Sequence, residues 1–378
     1  MTLEDPHVSD AAPADGGRSV TDAGRGRSRF LGSSGLSGFF LYALVFVLAL
    51  TPVPYLLQTP GPVVNTLEPY EGVDLVSISG TETYEAEGTL DMLTVAVAGG
   101  PGRDIFAAQA VTSLVNGVET VVPSEAFYPL STTRDEVETA NSTEMISSQD
   151  EATAAALTEL DIDYDSVIGV SQIVEGSPAA GIMQPGDHIL SVDGEDVPGT
   201  DEGMSGVRQA VLDSTGPVEF TLERDGETVE ETVEPVETDG TRSIGVVMSR
   251  AYSFPFDVDF AVEGIGGPSA GTIFALTIID LLTEGNLTGG EAIAGTGAID
   301  AAGEVSPIGG ARQKVAAAAA SGADWFLSPA DNCAEVLGAR GVDDMTVVRV
   351  DDLSGAHQAV TDIAAGDTAD LPSCTDTP

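Results

Sequence analysis

A chain of 378 residues with 42% hydrophobic positions can bury two or three separate cores, which excludes a wholly disordered protein. Its 61 acidic residues against 14 basic ones give a formal charge of −47, a surface that repels polyphosphate, so nucleic-acid binding is excluded. Such acidity suits solubility in a salty milieu, where repulsion between surface carboxylates is screened.

Residues 1–34 are rich in Gly, Ser, Asp and Ala and hold few large apolar groups, so a disordered tail is expected there. Leu36 to Leu57 form an apolar stretch close to the roughly 20 residues that span a bilayer, which predicts one transmembrane helix over 35–58. Arg18, Arg25, Arg27 and Arg29 precede it and no Lys or Arg follows before Arg103, so the positive-inside bias puts the N-terminus in the cytoplasm and the rest of the chain outside. A cleaved signal peptide is the rival reading. Against it, the apolar run is long and Pro-Val-Pro-Tyr-Leu-Leu-Gln is no small-x-small cleavage site.

Residues 59–161 read as an α+β segment, with strand patterns over Val73–Ser79 and Leu90–Ala98 and a helix over Gln149–Leu160. Gly99-Gly-Pro-Gly-Arg-Asp lacks the Lys and Ser/Thr of a phosphate loop and reads as a turn, and no Walker motif occurs anywhere. From Val167 to Glu237 short β-rich runs alternate with turns. Within them, Gly176-Ser-Pro-Ala-Ala-Gly and Pro185-Gly-Asp-His-Ile-Leu-Ser-Val-Asp-Gly resemble the PDZ domains of bacterial membrane and periplasmic proteases, which sets a domain over 162–240. PDZ domains bind an extended peptide as an added strand and hold its C-terminal carboxylate. The resemblance puts the peptide-lining residues at Ile168, Gly169 and Val170, although plain strand structure would account for each of them singly.

Residues 241–366 carry the chemistry. Gly264-Ile-Gly-Gly-Pro-Ser-Ala-Gly runs into Thr272 to Leu282, apolar on nearly every face, which predicts a buried helix with Pro268 in its first turn. Ser269 then stands at the positive end of that helix, as a nucleophile or as a mere cap, with backbone at Gly267, Pro268 and Ala270 around a developing oxyanion. Further on, Gly309-Gly310 opens an alanine-rich helix with Lys314 in its first turn. There the helix dipole and the neighbouring Val and Ala side chains lower an amine's pKa toward neutrality. Thirteen of the 14 basic residues are arginine, which cannot deprotonate, and Lys314 is the only lysine. A lone lysine suits a proton-transfer role, although chance retention of an exposed lysine would look the same.

Gly266-Gly-Pro-Ser-Ala-Gly, Thr296-Gly, Gly303-x-Val-x-Pro-Ile-Gly-Gly-x-x-x-Lys and Gly322-Ala to Pro329 together resemble the proteolytic domain of Lon serine peptidases across Val262 to Pro329. The resemblance implies an ATP-independent serine endopeptidase with Ser269 as nucleophile, Lys314 as general base and Thr296 orienting the lysine. It also implies a homo-oligomer, because Lon-type domains commonly assemble as rings. Two departures stand out: no ATP-driven motor precedes the domain, and Ala298 replaces a glutamate that many Lon proteases carry. The likeness is therefore to membrane-bound, PDZ-containing Lon-like proteins, in which the PDZ unit interrupts the protease fold.

The fold class expected is α+β: one transmembrane helix, a β-rich PDZ domain, a Lon-type domain and a C-terminal tail over 367–378. No cofactor or metal is expected, since Cys333 and Cys374 form no C-x-x-C pair and no ligand cluster appears. Outside the cytoplasm a disulfide between these two cysteines is permitted by compartment. His7, His188 and His357 lack the motifs of a Ser-His-Asp triad. Partners would be protein or peptide substrates bound through their C-termini, and the membrane. The competing function is a PDZ scaffold or assembly factor with an inactive or self-processing protease-like domain.

Overall fold

The computed structural model describes residues 32–376, apart from 71, 130, 239 and 263. The tail as far as residue 31, with its four arginines, lies outside the described residues. The chain falls into two units, 1–51 and 52–378. The described part of the first is helix α1, Gly32–Ala49. From Phe39 to Leu48 its large side chains are apolar and exposed, Tyr42 to 80%.

The helix expected over 35–58 is corrected by this geometry: among the described residues no helix is long and apolar enough to cross a membrane. Small polar residues open α1. Pro52 and Pro54 stop its continuation, because proline lacks an N–H and forces the preceding residue out of helical conformation. Leu56 and Leu57, counted in the span, instead lie in a strand and are buried in the second unit.

The second unit opens with strands β1 (Tyr55–Asn65), β2 (Thr89–Ala98) and β3 (Thr120–Pro123), then helix α2 (Arg134–Glu159). Strands β4 (Asp165–Ile173) and β5 (His188–Val192), helix α3 (Asp201–Asp213), and strands β6 (Val218–Arg224), β7 (Glu227–Val233) and β8 (Val246–Ser253) follow. The chain then runs through α4 (Gly271–Leu282), β9 (Ala292–Gly295), α5 (Ala311–Ser321), β10 (Trp325–Pro329), β11 (Thr346–Val350) and α6 (Leu353–Ala365).

Two main sheets result. The larger has the order β11-β10-β9-β2-β1-β3, parallel from β11 to β2 and antiparallel beyond. Its strands come from both sides of the segment 165–253 in sequence, so the smaller sheet is an insertion into the larger fold. Side chains alternate between its faces as a pleated strand requires. Leu90, Met92, Ile293 and Leu327 pack under α2, α4 and α6, while Leu93, Ala294 and Phe326 pack under α5. The smaller sheet, β7-β6-β5-β4-β8, closes its own core around Ile168, Ile189, Phe220 and Leu222. Strand β8 ends this order and lies beyond the boundary at 240 expected from sequence. That boundary would have cut off an edge strand which pairs with β4 along its whole length.

Candidate active site

Three elements meet at the carboxyl end of β9. Thr296 follows its last residue, Ser269 lies two residues ahead of α4, and Lys314 stands in the first turn of α5. The helix was expected to begin at Pro268. It begins at Gly271, and Pro268 to Ala270 form the turn before it. This turn is pinned to the strand: Gly297 N–H donates to the Ser269 carbonyl at 3.0 Å and Thr272 N–H to the Gly297 carbonyl at 3.1 Å. Only glycine allows that approach, since a Cβ at position 297 would collide with Thr272 and Val305.

Lys314 Nζ lies 2.7 Å from Ser269 Oγ and 2.8 Å from Thr296 Oγ1. The Thr296 hydroxyl in turn donates to the Ser269 carbonyl at 2.8 Å, so one side chain fixes both the amine and the backbone that carries the serine. Lys314 and Thr296 are each 1% exposed. No carboxylate lies within ion-pair distance among the described residues, and burial lowers the lysine's pKa from 10.5 to about 7. Near neutral pH about half of the population then holds an amine whose lone pair can accept the serine proton.

The residues expected around the oxyanion divide. Gly267 donates its N–H to the Asn141 carbonyl at 3.1 Å, and Pro268 has no N–H, so neither offers a donor. The Ala270 N–H, like that of Ser269, has no acceptor among the described residues and lies at the positive end of α4. A cleft of about 310 Å³ opens onto these groups, with Pro62, Met92, Val95, Met145 and Ile265 among its walls.

Two residues of α2 were not singled out from sequence. Ser148 Oγ donates to the Pro268 carbonyl at 3.0 Å, and the Asn141 carbonyl holds Gly267. Gly266 passes so close that a Cβ there would lie 2.7 Å from the Asn141 side chain. The sequence pattern placed a helix only over Gln149–Leu160, yet Thr133-Arg-Asp-Glu136 is a capping box. The Thr133 hydroxyl accepts from Glu136 N–H at 3.3 Å, and Thr133 N–H donates to the Glu136 carboxylate at 2.7 Å. That signal marks a helix start fifteen residues before Gln149 and brings Asn141 and Ser148 onto the helix.

Ile168, Gly169 and Val170 are not at a peptide groove. They lie in β4, bonded to β5 on one side and β8 on the other, with Ile168 and Val170 buried. A strand paired along both edges cannot accept another. The open groove lies one strand further out, between the edge of β8 and helix α3, where Val207, Val211, Ile244 and Met248 line a cavity of about 440 Å³. Cys333 and Cys374 are joined as a disulfide.

Comparison with known proteins agrees with both halves. Residues 262–359 match the family model of the Lon protease (S16) C-terminal proteolytic domain, and residues 169–224 match that of the PDZ domain. No curated protein is similar enough to the chain to be matched. Among solved structures, the PDZ domain of an SdrC-like protein from Listeria innocua is 23% identical, with 22% of this chain and 92% of that chain covered and a TM-score of 0.19. Its Listeria monocytogenes counterpart is 19% identical over 23% of this chain and 90% of that chain, with a TM-score of 0.20. A Geobacillus thermodenitrificans protein solved in solution is 24% identical over 21% of this chain and 94% of that chain, with a TM-score of 0.19. The chain thus carries a segment that matches a Lon-type proteolytic domain together with one that matches a PDZ domain.

Proposed function

We propose that the protein is an ATP-independent serine endopeptidase in which Ser269 attacks the scissile carbonyl and Lys314 acts as general base. The observation that carries this reading is the 2.7 Å approach of a buried, desolvated lysine amine to a hydroxyl at a helix N-terminus. Neutral Lys314 takes the Ser269 proton as Oγ attacks, and Thr296 holds the amine in line. The oxyanion forms beside the free N–H groups of Ser269 and Ala270, the ammonium returns its proton to the leaving amine, and water cleaves the acyl-enzyme. Substrates are unfolded or exposed segments of extracytoplasmic or membrane proteins, delivered or gated by the PDZ domain.

The same proposal places the chain at the cell membrane, which the exposed apolar side chains of α1 favour, with residues 52–378 on the extracytoplasmic side. A Cys333–Cys374 disulfide suits that oxidising side. The homo-oligomer rests on the family likeness and would be read by analytical ultracentrifugation. The test of the chemistry is cleavage of an added disordered protein by the purified chain beside Ser269→Ala and Lys314→Arg variants. Loss of cleavage in both supports the dyad, and cleavage surviving in either overturns it. A parent that cuts nothing leaves a PDZ-bearing scaffold.

A further inference from the structure

The groove between β8 and α3 is lined by the buried Val207, Val211 and Ile244 and also by two arginines, the exposed Arg208 from α3 and the half-buried Arg242 from the segment leading into β8. Neither has a carboxylate within ion-pair distance among the described residues. Arg208 makes no hydrogen bond there, while Arg242 makes one long contact from Nη2 to the Pro235 carbonyl at 3.4 Å. The Arg242 Nε is buried and has no partner among the described residues. This is unexpected in a chain with 61 acidic and 14 basic residues, where an arginine has abundant carboxylates to pair with. With Arg208 and Arg242 free of ion pairs among the described residues, the charge on the groove is available to an anionic ligand. The groove's far end is closed differently: Arg250 of β8 pairs with Asp201 at the start of α3 at 2.6 Å, so the unpaired positive charge lies toward the α3 carboxyl half.

We propose that this groove takes the acidic C-terminal segment of a substrate protein. The segment would add as a strand to the free edge of β8, its terminal carboxylate at Arg242, its last apolar side chain between Val207, Val211 and Met248, and an upstream Asp or Glu at Arg208. The proposal rests on the PDZ domain as substrate recogniser and adds the charge of what it recognises. Selection at this site runs against the protein's overall field, since a surface at −47 repels an acidic peptide at long range. Contact at the groove therefore decides affinity only where salt shortens that field, to about 3 Å at 1 M.

The experiment uses the full chain carrying Ser269→Ala in detergent, so that peptides are bound and not cut, at about 1 M salt. Fluorescein-labelled Gly-Ser-Gly-Ser-Glu-Glu-Val-Leu with a free carboxylate is compared by anisotropy with its Lys-Lys counterpart and with its C-terminal amide. The expected result is binding of the Glu peptide at least about tenfold tighter than either, which is about 1.4 kcal/mol. Arg208→Glu should reverse the Glu-over-Lys order, Arg208→Lys should keep it, and Arg242→Ala should erase the preference for the free acid. Equal affinities, no binding, or an Arg208→Glu variant with the order unchanged overturns the proposal. Cleavage of a disordered protein by the parent chain is read separately. Loss of the charge preference with cleavage intact sinks this proposal alone, and absent cleavage with the preference intact sinks only the catalytic reading.

Discussion

Burying Lys314 costs the folded state. The unfolded chain holds this proton up to pH 10.5 and the folded one only to about 7, each tenfold in proton affinity being about 1.4 kcal/mol, so the cost reaches about 5 kcal/mol at pH 7. The sign follows from proton counts. Between pH 7 and 10.5 the unfolded state binds the extra proton, so this cost shrinks as pH rises through that window and is constant below it. Lys314→Met keeps the volume and removes the amine. We expect it to abolish cleavage yet raise stability by about 2–4 kcal/mol at pH 7 in urea unfolding, after the lost contacts to Ser269 and Thr296, with the gain fading toward pH 10. Equal stability of variant and parent at pH 7 would show that the lysine is not desolvated. The rate should follow the same group, falling about tenfold per pH unit below a midpoint near 7 as the base becomes protonated. Ser269 and Lys314 were legible in the sequence because Gly-Gly-Pro-Ser-Ala-Gly and Pro-Ile-Gly-Gly-x-x-x-Lys are local patterns. Which backbone N–H groups stay free beside Ser269 was not, because Gly267 spends its N–H on a residue 126 positions earlier.

Helix α2 shows what an element adds to those two residues. It packs beside α4 and fixes the Pro268–Ala270 turn by Ser148 on the Pro268 carbonyl and by the Asn141 carbonyl on Gly267. Ser148→Ala removes one of these ties. The expected outcome is a fall in kcat of about tenfold with KM little changed and a stability loss of about 1 kcal/mol, measured by steady-state kinetics and urea unfolding. A variant with kcat intact would show the turn to be held by Asn141 and Gly297 alone. The start of α2 was readable in its capping box, but its first half is polar and without a helical apolar stripe, so periodicity found only the buried half. Strand β8 was missed for a related reason. An edge strand with one covered face alternates apolar and polar residues weakly, and nothing in Val246–Ser253 says which sheet it joins.

Across the whole molecule, the Cys333–Cys374 link closes a loop between residues 41 apart and ties the last described segment to the protease core. In the chain-entropy account a loop of that length contributes about 4 kcal/mol. Reduction should therefore lower the urea midpoint measurably while leaving Ser269 and Lys314 in place, so cleavage by the folded fraction persists. An unchanged midpoint after verified reduction would contradict this. The apolar stretch after residue 35 is likewise a whole-molecule matter. Hydropathy alone extends it to Leu57, but the sheet claims Leu56 and Leu57 for its own core.

Composition, motif spacing and the single lysine determined by themselves the α+β class, the PDZ and Lon-type segments, and the serine and lysine that come within hydrogen-bond distance. These are properties of short stretches, fixed by residue type and local order. Tertiary structure alone decided that Leu56 and Leu57 belong to the sheet core, which edge of the smaller sheet is open, and which backbone N–H groups remain free in the turn before α4. Each depends on which distant segment supplies a partner, and hydrogen-bond satisfaction between segments far apart in sequence leaves no pattern within either one.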